Sequence, residues 1–324
     1  MAECVFGEEE ATVHQALILL GPGRRFVPRL EVDHVLAAPE REDVQRGLEG
    51  VEAVAPAEQL LELRAKSSAR KRREMLRLRG MRIAVVSDIH GNLPALEAVV
   101  VDFKRAGVDK VVNLGDSLSG PLLPLETARY LMATDWLHLA GNHERQVLTL
   151  PPERTGLSDA YARSQLSEPE LAWMRDHRPV HRLNAEVLLC HGSPSSDVTH
   201  LLITPEPGSF RPATAAEVEE RLGDTEARVI CCGHSHVPGA VRSRAGQLVV
   251  NPGSVGLQAY DDDHPFAYRI QNGSPDARYA ILEERDGRWS AQLRSVPYDF
   301  APVAALARER GRPEWAAGLM SGYL

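Results

Sequence analysis

The sequence contains few cysteines, only four among 324 residues, at positions 4, 190, 231 and 232. They form no C-x-x-C pair, and the adjacent Cys231 and Cys232 would point to opposite faces of a strand, so a disulfide framework is not expected. Long apolar runs are also missing: no window approaches the roughly 18 apolar residues of a membrane span. The N-terminus lacks a basic region followed by an uninterrupted apolar stretch. These absences predict a cytoplasmic protein with no membrane partner.

Basic residues are also in the minority, since 37 Lys and Arg stand against 45 Asp and Glu for a net charge of −8. Such a surface repels a long polyanion unless a local basic patch compensates, so nucleic acid is a disfavoured partner. What the chain does have is enough apolar sequence, 43% hydrophobic residues, to bury a full core.

Residues 1–80 differ in pattern from the remainder of the chain. They are acidic and mixed at first and end in a run at 65–80 that is dense in Arg and Lys, which is typical of a solvated helix or a linker. Met81 then opens the apolar, β-rich run MRIAVVSDIHGN. We therefore predict an N-terminal extension at 1–80, whose role the sequence does not define, followed by one domain at 81–324.

Beyond Met81, strands and helices alternate in a βαβαβ order that favours parallel pairing. Strands are predicted at 82–87, 110–114 and 136–139, and helices at 93–106, 122–132 and 213–222. The C-terminal half is richer in strands, which are predicted at 185–190, 228–232, 247–251, 277–284 and 289–295. Asp286-Gly287 predicts a hairpin between the last two strands. Together these elements predict an α/β fold with two sheets packed face to face and helices outside.

Five short clusters place metal-binding side chains where predicted strands end. They are Asp88-Ile89-His90, Gly115-Asp116, Gly141-Asn142-His143-Glu144, His191-Gly192 and Gly233-His234-Ser235-His236. Each cluster alone is weak, because Gly-Asp is a common turn and a lone histidine is usually structural. Their conjunction at strand ends predicts one site, because ligand sites in α/β sheets form beyond the carboxyl ends of strands. Carboxylate, imidazole and amide ligands suit Mn, Fe or Zn better than Ca or Mg.

The histidines outside these clusters, and the adjacent cysteines, are expected to be structural. These histidines include His138, His177, His181, His200 and His264. Cys231 and Cys232 are interpreted as small apolar residues of a buried strand.

The ordered series DIH, GD, GNHE, HG and GHSH resembles the calcineurin-like metallophosphoesterase superfamily. The resemblance covers about 81–295 and implies a four-layer α/β/β/α sandwich with two divalent metal ions, manganese first, with iron, zinc or nickel as alternatives. By resemblance, one metal would be bound by Asp88, His90, Asp116 and His236. The second would be bound by Asp116, Asn142, His191 and His234, with Asp116 bridging the two. The segment VVNPGSVG at 249–256 is similar to the bacterial phosphodiesterase branch.

The sequence departs from the phosphoprotein phosphatases of that superfamily at two phosphate-gripping arginines. Their motif reads GDxVDRG, whereas this chain reads GDSLSGP, with Ser119 and Gly120 at the places of the second Asp and the Arg. Ala140 stands where those enzymes carry an Arg before GNHE. Protein phosphatase activity is thereby put in doubt, and so is the Asp that would orient His143.

The resemblance implies hydrolysis of a phosphate ester by hydroxide held between the cations, with His143 as the general acid. The expected substrate is a small phosphorylated molecule or nucleotide, acted on by a phosphodiesterase or phosphatase. Three alternatives remain: a dinucleoside polyphosphate hydrolase, a serine/threonine protein phosphatase, and a catalytically silent scaffold. The sequence does not choose among substrates, nor does it define the oligomeric state.

Overall fold

The computed structural model describes residues 80–324. The predicted N-terminal extension at 1–80 lies, apart from Gly80, outside the described residues. Within the described residues, every helix is too short or too polar to cross a membrane.

The first sheet has the strand order β14-β13-β1-β2-β3. Its strands are β1 (Met81–Val86), β2 (Lys110–Asn113), β3 (Leu137–His138), β13 (Ala277–Arg285) and β14 (Arg288–Val296). Strands β1, β2 and β3 are parallel, as the βαβαβ order predicted, whereas β13 pairs antiparallel with both β1 and β14. The β13–β14 hairpin turns at the predicted Asp286-Gly287, where both residues have positive φ.

The second sheet has the order β4-β5-β8-β10-β9. Its strands are β4 (Val180–Arg182), β5 (Val187–Cys190), β8 (Val229–Cys231), β9 (Gly239–Arg242) and β10 (Leu248–Asn251). The three central strands β5, β8 and β10 are parallel, and the edge strands β4 and β9 are antiparallel to their neighbours. Two hairpins stand apart from the main sheets: β6 (Ile203–Glu206) with β7 (Ser209–Pro212), and β11 (Ala259–Asp262) with β12 (Tyr268–Gln271).

Eight α-helices cover these sheets in the described part of the chain. They are α1 (Leu93–Ala106), α2 (Pro124–Met132), α3 (Asn142–Thr149), α4 (Leu157–Gln165), α5 (Glu168–Arg175), α6 (Ala215–Leu222), α7 (Ala301–Glu309) and α8 (Pro313–Ser321). Helix α1 shows why such elements form: the Asn92 side chain accepts the Ala95 N–H at its start, and Gly107, with φ of 70°, ends it.

The core follows from strand alternation, because successive side chains point to opposite faces of a sheet. Ile83 and Val85 of β1 face the second sheet and pack with Val229 and Cys231 of β8. The intervening Ala84 and Val86 pack instead against α1 on the outer face. On the far side, Cys232 and other residues of the second sheet pack against α6. The predicted α/β/β/α order of layers is therefore confirmed.

The predicted elements recur with boundaries shifted by up to two residues. The helix predicted from Leu122 begins at Pro124, a residue suited to the first helical turn because its missing N–H needs no partner there. The strand predicted at 136–139 shortens to Leu137–His138. Helices α3, α4, α5, α7 and α8 were not predicted; each has only eight or nine residues, so that its apolar periodicity is short. The short strands β4, β6, β7, β9, β11 and β12 were also not predicted.

Candidate metal centre

The carboxyl ends of strands from both sheets deliver the candidate ligands to one place. Asp88 and His90 follow β1, Asp116 follows β2, His191 follows β5, and His234 and His236 follow β8. Backbone bonds join the loops: Asp88 N–H donates to the Gly115 carbonyl at 3.0 Å, and Gly233 N–H donates to the His191 carbonyl at 2.6 Å. Between the sheets, His234 N–H donates to Asp88 Oδ2 at 3.2 Å.

One group of ligand atoms is formed by Asp88, His90 and His236, whose nearest side-chain atoms all lie within 4.8 Å of one another. His236 Nε2 lies 3.4 Å from Asp88 Oδ1 and 3.1 Å from His90 Nε2. All three residues are buried.

A second group is formed by Asp116, His191 and His234, whose ligand atoms also lie within 4.8 Å of one another. His191 Nε2 lies 3.0 Å from Asp116 Oδ2 and 3.1 Å from the amide oxygen of Asn142. The groups are adjacent, because His191 Nε2 is 4.0 Å from Asp88 Oδ1. All seven side chains that the sequence proposed as ligands are thus brought together. The bridging role of Asp116 stays a prediction.

Hydrogen bonds fix which ring nitrogen each histidine presents. Three imidazoles donate Nδ1–H to backbone carbonyls: His90 to Ser119 at 2.8 Å, His236 to Leu257 at 2.7 Å and His191 to Leu114 at 2.9 Å. A carbonyl only accepts, so Nε2 of each ring faces the ligand group. His234 is reversed, because its Nε2 lies 3.1 Å from the Val198 carbonyl and Nδ1 faces the second group.

These contacts fit divalent cations. The Nε2 atoms of His90 and His236 face each other at 3.1 Å although both Nδ1 atoms already carry hydrogen, so two lone pairs oppose each other unless a cation or a proton lies between them. Asp88 Oδ1 is buried and has no hydrogen-bond partner, an arrangement that natural cores avoid. Imidazole, carboxylate and amide oxygen together form a suitable donor set for a transition ion.

The electrostatics of the second group couple metal binding to proton release. Burial lowers the pKa of His191, but the charge of Asp116 and the hydrogen bond to it raise that pKa to about 10 overall. A cation held beside Nε2 would therefore displace a proton, as is usual when a metal replaces hydrogen on an imidazole. At the first group, burial and the neighbouring His236 lower the pKa of His90 to about 4, which keeps its Nε2 available.

Backbone strain concentrates at these ligands. Five of them have positive φ although they are not glycine: Asp88 at 55°, His90 at 52°, Asp116 at 54°, His234 at 64° and His236 at 58°. Such conformations cost of order 1–3 kcal/mol each and cluster at functional sites. The tight turns let both residues of the D-x-H and H-x-H pairs serve the same centre.

Glu144 holds two ligand loops together from beneath. Its buried carboxylate accepts the N–H groups of Asp116, Ser117 and Gly141, each at 2.8 Å. Burial and the neighbouring charge of Asp116 raise the pKa of Glu144, while the three N–H donors act against that rise. The fourth residue of GNHE is therefore a structural link between two ligand loops, a role that the sequence analysis did not predict.

His143 stands beside the ligands. Its backbone N–H donates to Asp116 Oδ1 at 2.9 Å, and its side chain donates from Nδ1 to Asp159 Oδ1 at 2.8 Å. Burial lowers the pKa of His143, but Asp116 and Asp159 raise it to about 9 overall. Bound cations would neutralise Asp116 and draw that pKa back down.

A cleft of about 520 Å³ opens over both groups, and His143 lies in its lining. The walls come from α4, from β11 with the acidic loop that follows it, and from the start of α8. The Trp315 ring stands edge-on to the His90 imidazole at a centroid distance of 5.9 Å. The walls could not be predicted, because no motif marks the residues that form them: Tyr260, Asp261, Asp263, Arg312 and Trp315.

The packing around Gly120 agrees with the absence of the phosphatase arginine at this position. A Cβ atom at Gly120 would lie 2.7 Å from the Trp315 ring and 2.8 Å from the His90 carbonyl oxygen. Any side chain at position 120 is therefore excluded by α8, so the departure from GDxVDRG goes with the packing of Trp315.

Of the histidines expected to be structural, His200 lies against the site: its ring stacks on that of His234 at 4.6 Å, and its Nε2 is 2.9 Å from the Tyr268 hydroxyl. His138 and His177 stack on each other at a distance from it.

The fold and the paired candidate ligand groups fit a dinuclear metalloprotein, and comparisons with known proteins identify the family. The sequence model of the calcineurin-like phosphoesterase superfamily domain matches residues 81–272. The chain therefore belongs to the calcineurin-like phosphoesterase superfamily. Its sequence is 26% identical over 248 residues to the uncharacterized protein MJ0912 of Methanocaldococcus jannaschii. This alignment covers 72% of the present chain and 94% of MJ0912.

Two solved structures share the fold. A metallophosphoesterase from Sphaerobacter thermophilus superposes with a TM-score of 0.59 at 25% identity, covering 75% of this chain and all of that one. The hypothetical protein PH1004 from Pyrococcus horikoshii OT3 superposes with a TM-score of 0.57 at 18% identity, covering 75% of this chain and 98% of that one.

Proposed function

We propose that this protein is a metal-dependent hydrolase of small phosphate esters, with phosphodiesters as the preferred class. The observation that carries the proposal is the pair of adjacent ligand groups, buried except for the half-buried His234, at the base of a cleft that also contains His143. Because every expected ligand position is filled, a catalytically silent scaffold is disfavoured.

In this proposal one cation is held by Asp88, His90, Asp116 and His236, and the other by Asp116, Asn142, His191 and His234. When bound, a pair of divalent cations lowers the pKa of water and stabilises negative charge on phosphoryl oxygens. Manganese is proposed as the resident ion, with iron, zinc or nickel as alternatives, because imidazole and carboxylate ligands together accept each of these ions. A cytoplasmic location is supported by Cys190, Cys231 and Cys232, which are free thiols.

His143 is proposed to protonate the leaving oxygen. Its Nδ1 is engaged by Asp159, which leaves Nε2 as the nitrogen that can give a proton inside the cleft. General acid catalysis of this kind contributes about 10² to 10⁴ in rate when the leaving group is poor.

The cleft supports a small substrate. Its volume of about 520 Å³ lies within the roughly 300–1,000 Å³ typical of small-molecule sites. A protein phosphatase is disfavoured because Gly120 and Ala140 replace the two phosphate-gripping arginines and Trp315 fills the space at position 120.

A dinucleoside polyphosphate is disfavoured by the charge of the wall. Asp261 and Asp263 are exposed carboxylates lining the cleft, and they would repel a chain of phosphates. The lining also contains two arginines, Arg154 and Arg312, but they are outnumbered by Asp261, Asp262, Asp263 and Glu314. Arg312 is moreover engaged, since it hydrogen-bonds both Glu314 and the Ser158 hydroxyl. One phosphate bound at the metal centre and an uncharged leaving group suit this lining better.

The proposal is tested with p-nitrophenyl phosphate and bis(p-nitrophenyl) phosphate, each assayed with Mn²⁺, Ni²⁺, Mg²⁺ or a chelator. We expect turnover with a transition ion, preference for the diester, and loss of turnover in the chelator. Asp116→Asn should lose turnover and bind fewer than two metals per chain, whereas exposed Asp135→Asn should match the parent. A metal-loaded protein that hydrolyses neither ester would refute the proposed function.

A further inference from the structure

Asp159 lies close to His143 but belongs to none of the metal-ligand motifs. Its carboxylate is 4% exposed, and Oδ1 accepts the His143 Nδ1–H at 2.8 Å. The position in the ligand loop where related phosphatases carry an aspartate is Ser119 here, and its buried hydroxyl has no hydrogen-bond partner. The carboxylate that meets His143 therefore comes from α4.

Helix capping does not explain why Asp159 is an aspartate. It is the third residue of α4, where an acidic side chain often accepts the backbone N–H of the residue that caps the helix. Here Gly156 precedes the helix and no side-chain cap bond is formed. A buried carboxylate without a partner is costly, so the pairing with His143 is what makes this residue tolerable at this position.

Contacts with three other parts of the chain hold α4 in place. The Ser158 carbonyl accepts the Gly120 N–H at 3.4 Å, and the Ser158 hydroxyl accepts from Arg312 at 3.1 Å. Further along the helix, Arg163 donates to the Val147 carbonyl of α3 at 2.8 Å. The carboxylate is thus carried by an anchored helix, as precise placement of a functional group requires.

We propose that Asp159 is a positioning residue that accepts Nδ1–H of His143 and so keeps His143 Nε2 available to the leaving oxygen. The inference rests on the proposed function. In the reaction, a P–O bond forms from water while the P–O bond to the alcohol breaks. The alcohol oxygen takes the Nε2 proton, the proton lost by water passes to solvent, and His143 is reprotonated from solvent. Without a partner for Nδ1, the imidazole would populate both tautomers and other orientations.

The test uses the full-length, metal-loaded protein and a series of diesters whose leaving phenols range from p-nitrophenol to unsubstituted phenol. His143→Ala, Asp159→Asn, Asp159→Ala and the double variant His143→Ala/Asp159→Asn are compared. We expect Asp159→Asn to lower kcat on phenyl esters by at least about 10-fold, part of the about 10² to 10⁴ that a general acid supplies. On p-nitrophenyl esters the loss should be much smaller, because nitrophenolate leaves without a proton.

In the His143→Ala background, Asp159→Asn should cause no further loss, because a residue that acts through another is not additive with it. A uniform loss on all leaving groups, or losses that multiply in the double variant, would overturn the proposal. The exposed Glu153→Gln serves as the matched control and should keep the parent turnover on every ester.

A second readout does not depend on activity. Nitrogen-15 NMR of the metal-free protein reports the protonation of each ring nitrogen, and the His143 signal is assigned as the one that disappears in His143→Ala. We expect this signal to show a protonated Nδ1 in the parent and to lose that state in Asp159→Asn. An unprotonated Nδ1 in the parent overturns the inference. If the parent hydrolyses no ester, the proposed function fails, and the NMR result still decides whether Asp159 fixes the imidazole.

Discussion

At the scale of single residues, the centre depends on groups that touch no substrate. Each histidine of the two ligand groups gives its second ring nitrogen to a backbone carbonyl, and Glu144 ties the loops of Asp116 and Gly141 together. These contacts orient the ligands before any cation arrives, which lowers the entropic cost of binding.

Glu144→Gln is expected to weaken both the fold and the metal centre. Glutamine offers one carbonyl oxygen where three N–H groups need acceptors, and its amide group would face one of those donors. Since a hydrogen bond to a charged group contributes about 1.5–3 kcal/mol, we expect the free energy of unfolding to fall by about 3 kcal/mol. Urea denaturation of the metal-free protein measures this change. An unchanged midpoint with two metals still bound would contradict the role given to Glu144.

The sequence was sufficient to predict which candidate ligands converge but not the residues that orient them. Asp88, Asp116 and His191 stand at the ends of apolar runs, and that position is a local signal. Asp159 is 16 positions from His143, on a short polar helix, and carries no such signal. Trp315 lies still farther from His143 along the sequence. The left-handed backbone of the ligand turns also escaped prediction, because those residues are not glycine.

At the scale of elements, β3 packs against the end of α5 through aromatic rings. The His138 and His177 rings stack at 5.4 Å, and Trp173 meets each of them edge-on. Burial, then the neighbouring imidazole, lowers the pKa of His138 to about 3, and burial lowers that of His177 to about 4. This junction is therefore built for neutral histidines.

The junction predicts a loss of stability in acid. Unfolded histidine titrates near 6.5 while these two titrate lower when folded, so below about pH 6.5 the unfolded state binds protons that the folded state refuses. Their contribution is fully present above about pH 6.5 and is lost as the pH falls toward 4. His138→Gln should reduce the slope of unfolding free energy against pH in that window by about 1.4 kcal/mol per pH unit at most. Exposed His264→Asn is the control, and an unchanged slope in His138→Gln would contradict the assignment.

At the scale of the whole molecule, the two facing sheets bring the carboxyl ends of their parallel strands to one site, where cations are expected to join them. Asp88 and His90 come from the first sheet, and His234 and His236 come from the second. The buried Asp88 Oδ1 and the opposed ring nitrogens make the metal-free centre unfavourable. The overall layer order could be predicted from strand and helix alternation, whereas the pairing of β13 with β1 could not, because partners so far apart in sequence leave no local pattern.

Removal of metal is expected to lower the melting temperature. A ligand that binds only the folded state stabilises it by about 2.7 kcal/mol at 100 times its Kd. Protein treated with a chelator should melt lower than the same protein with Mn²⁺, and Asp116→Asn should show little difference between the two conditions. Scanning calorimetry measures both, and equal melting temperatures with and without Mn²⁺ in the parent would argue against cations joining the sheets.

Helix α8 lies beyond the residues that match the family, yet its Trp315 touches the imidazole of His90 and closes off position 120. Part of the cleft wall therefore lies outside the family match, so that substitutions in α8 would reshape the cleft without changing any candidate metal ligand.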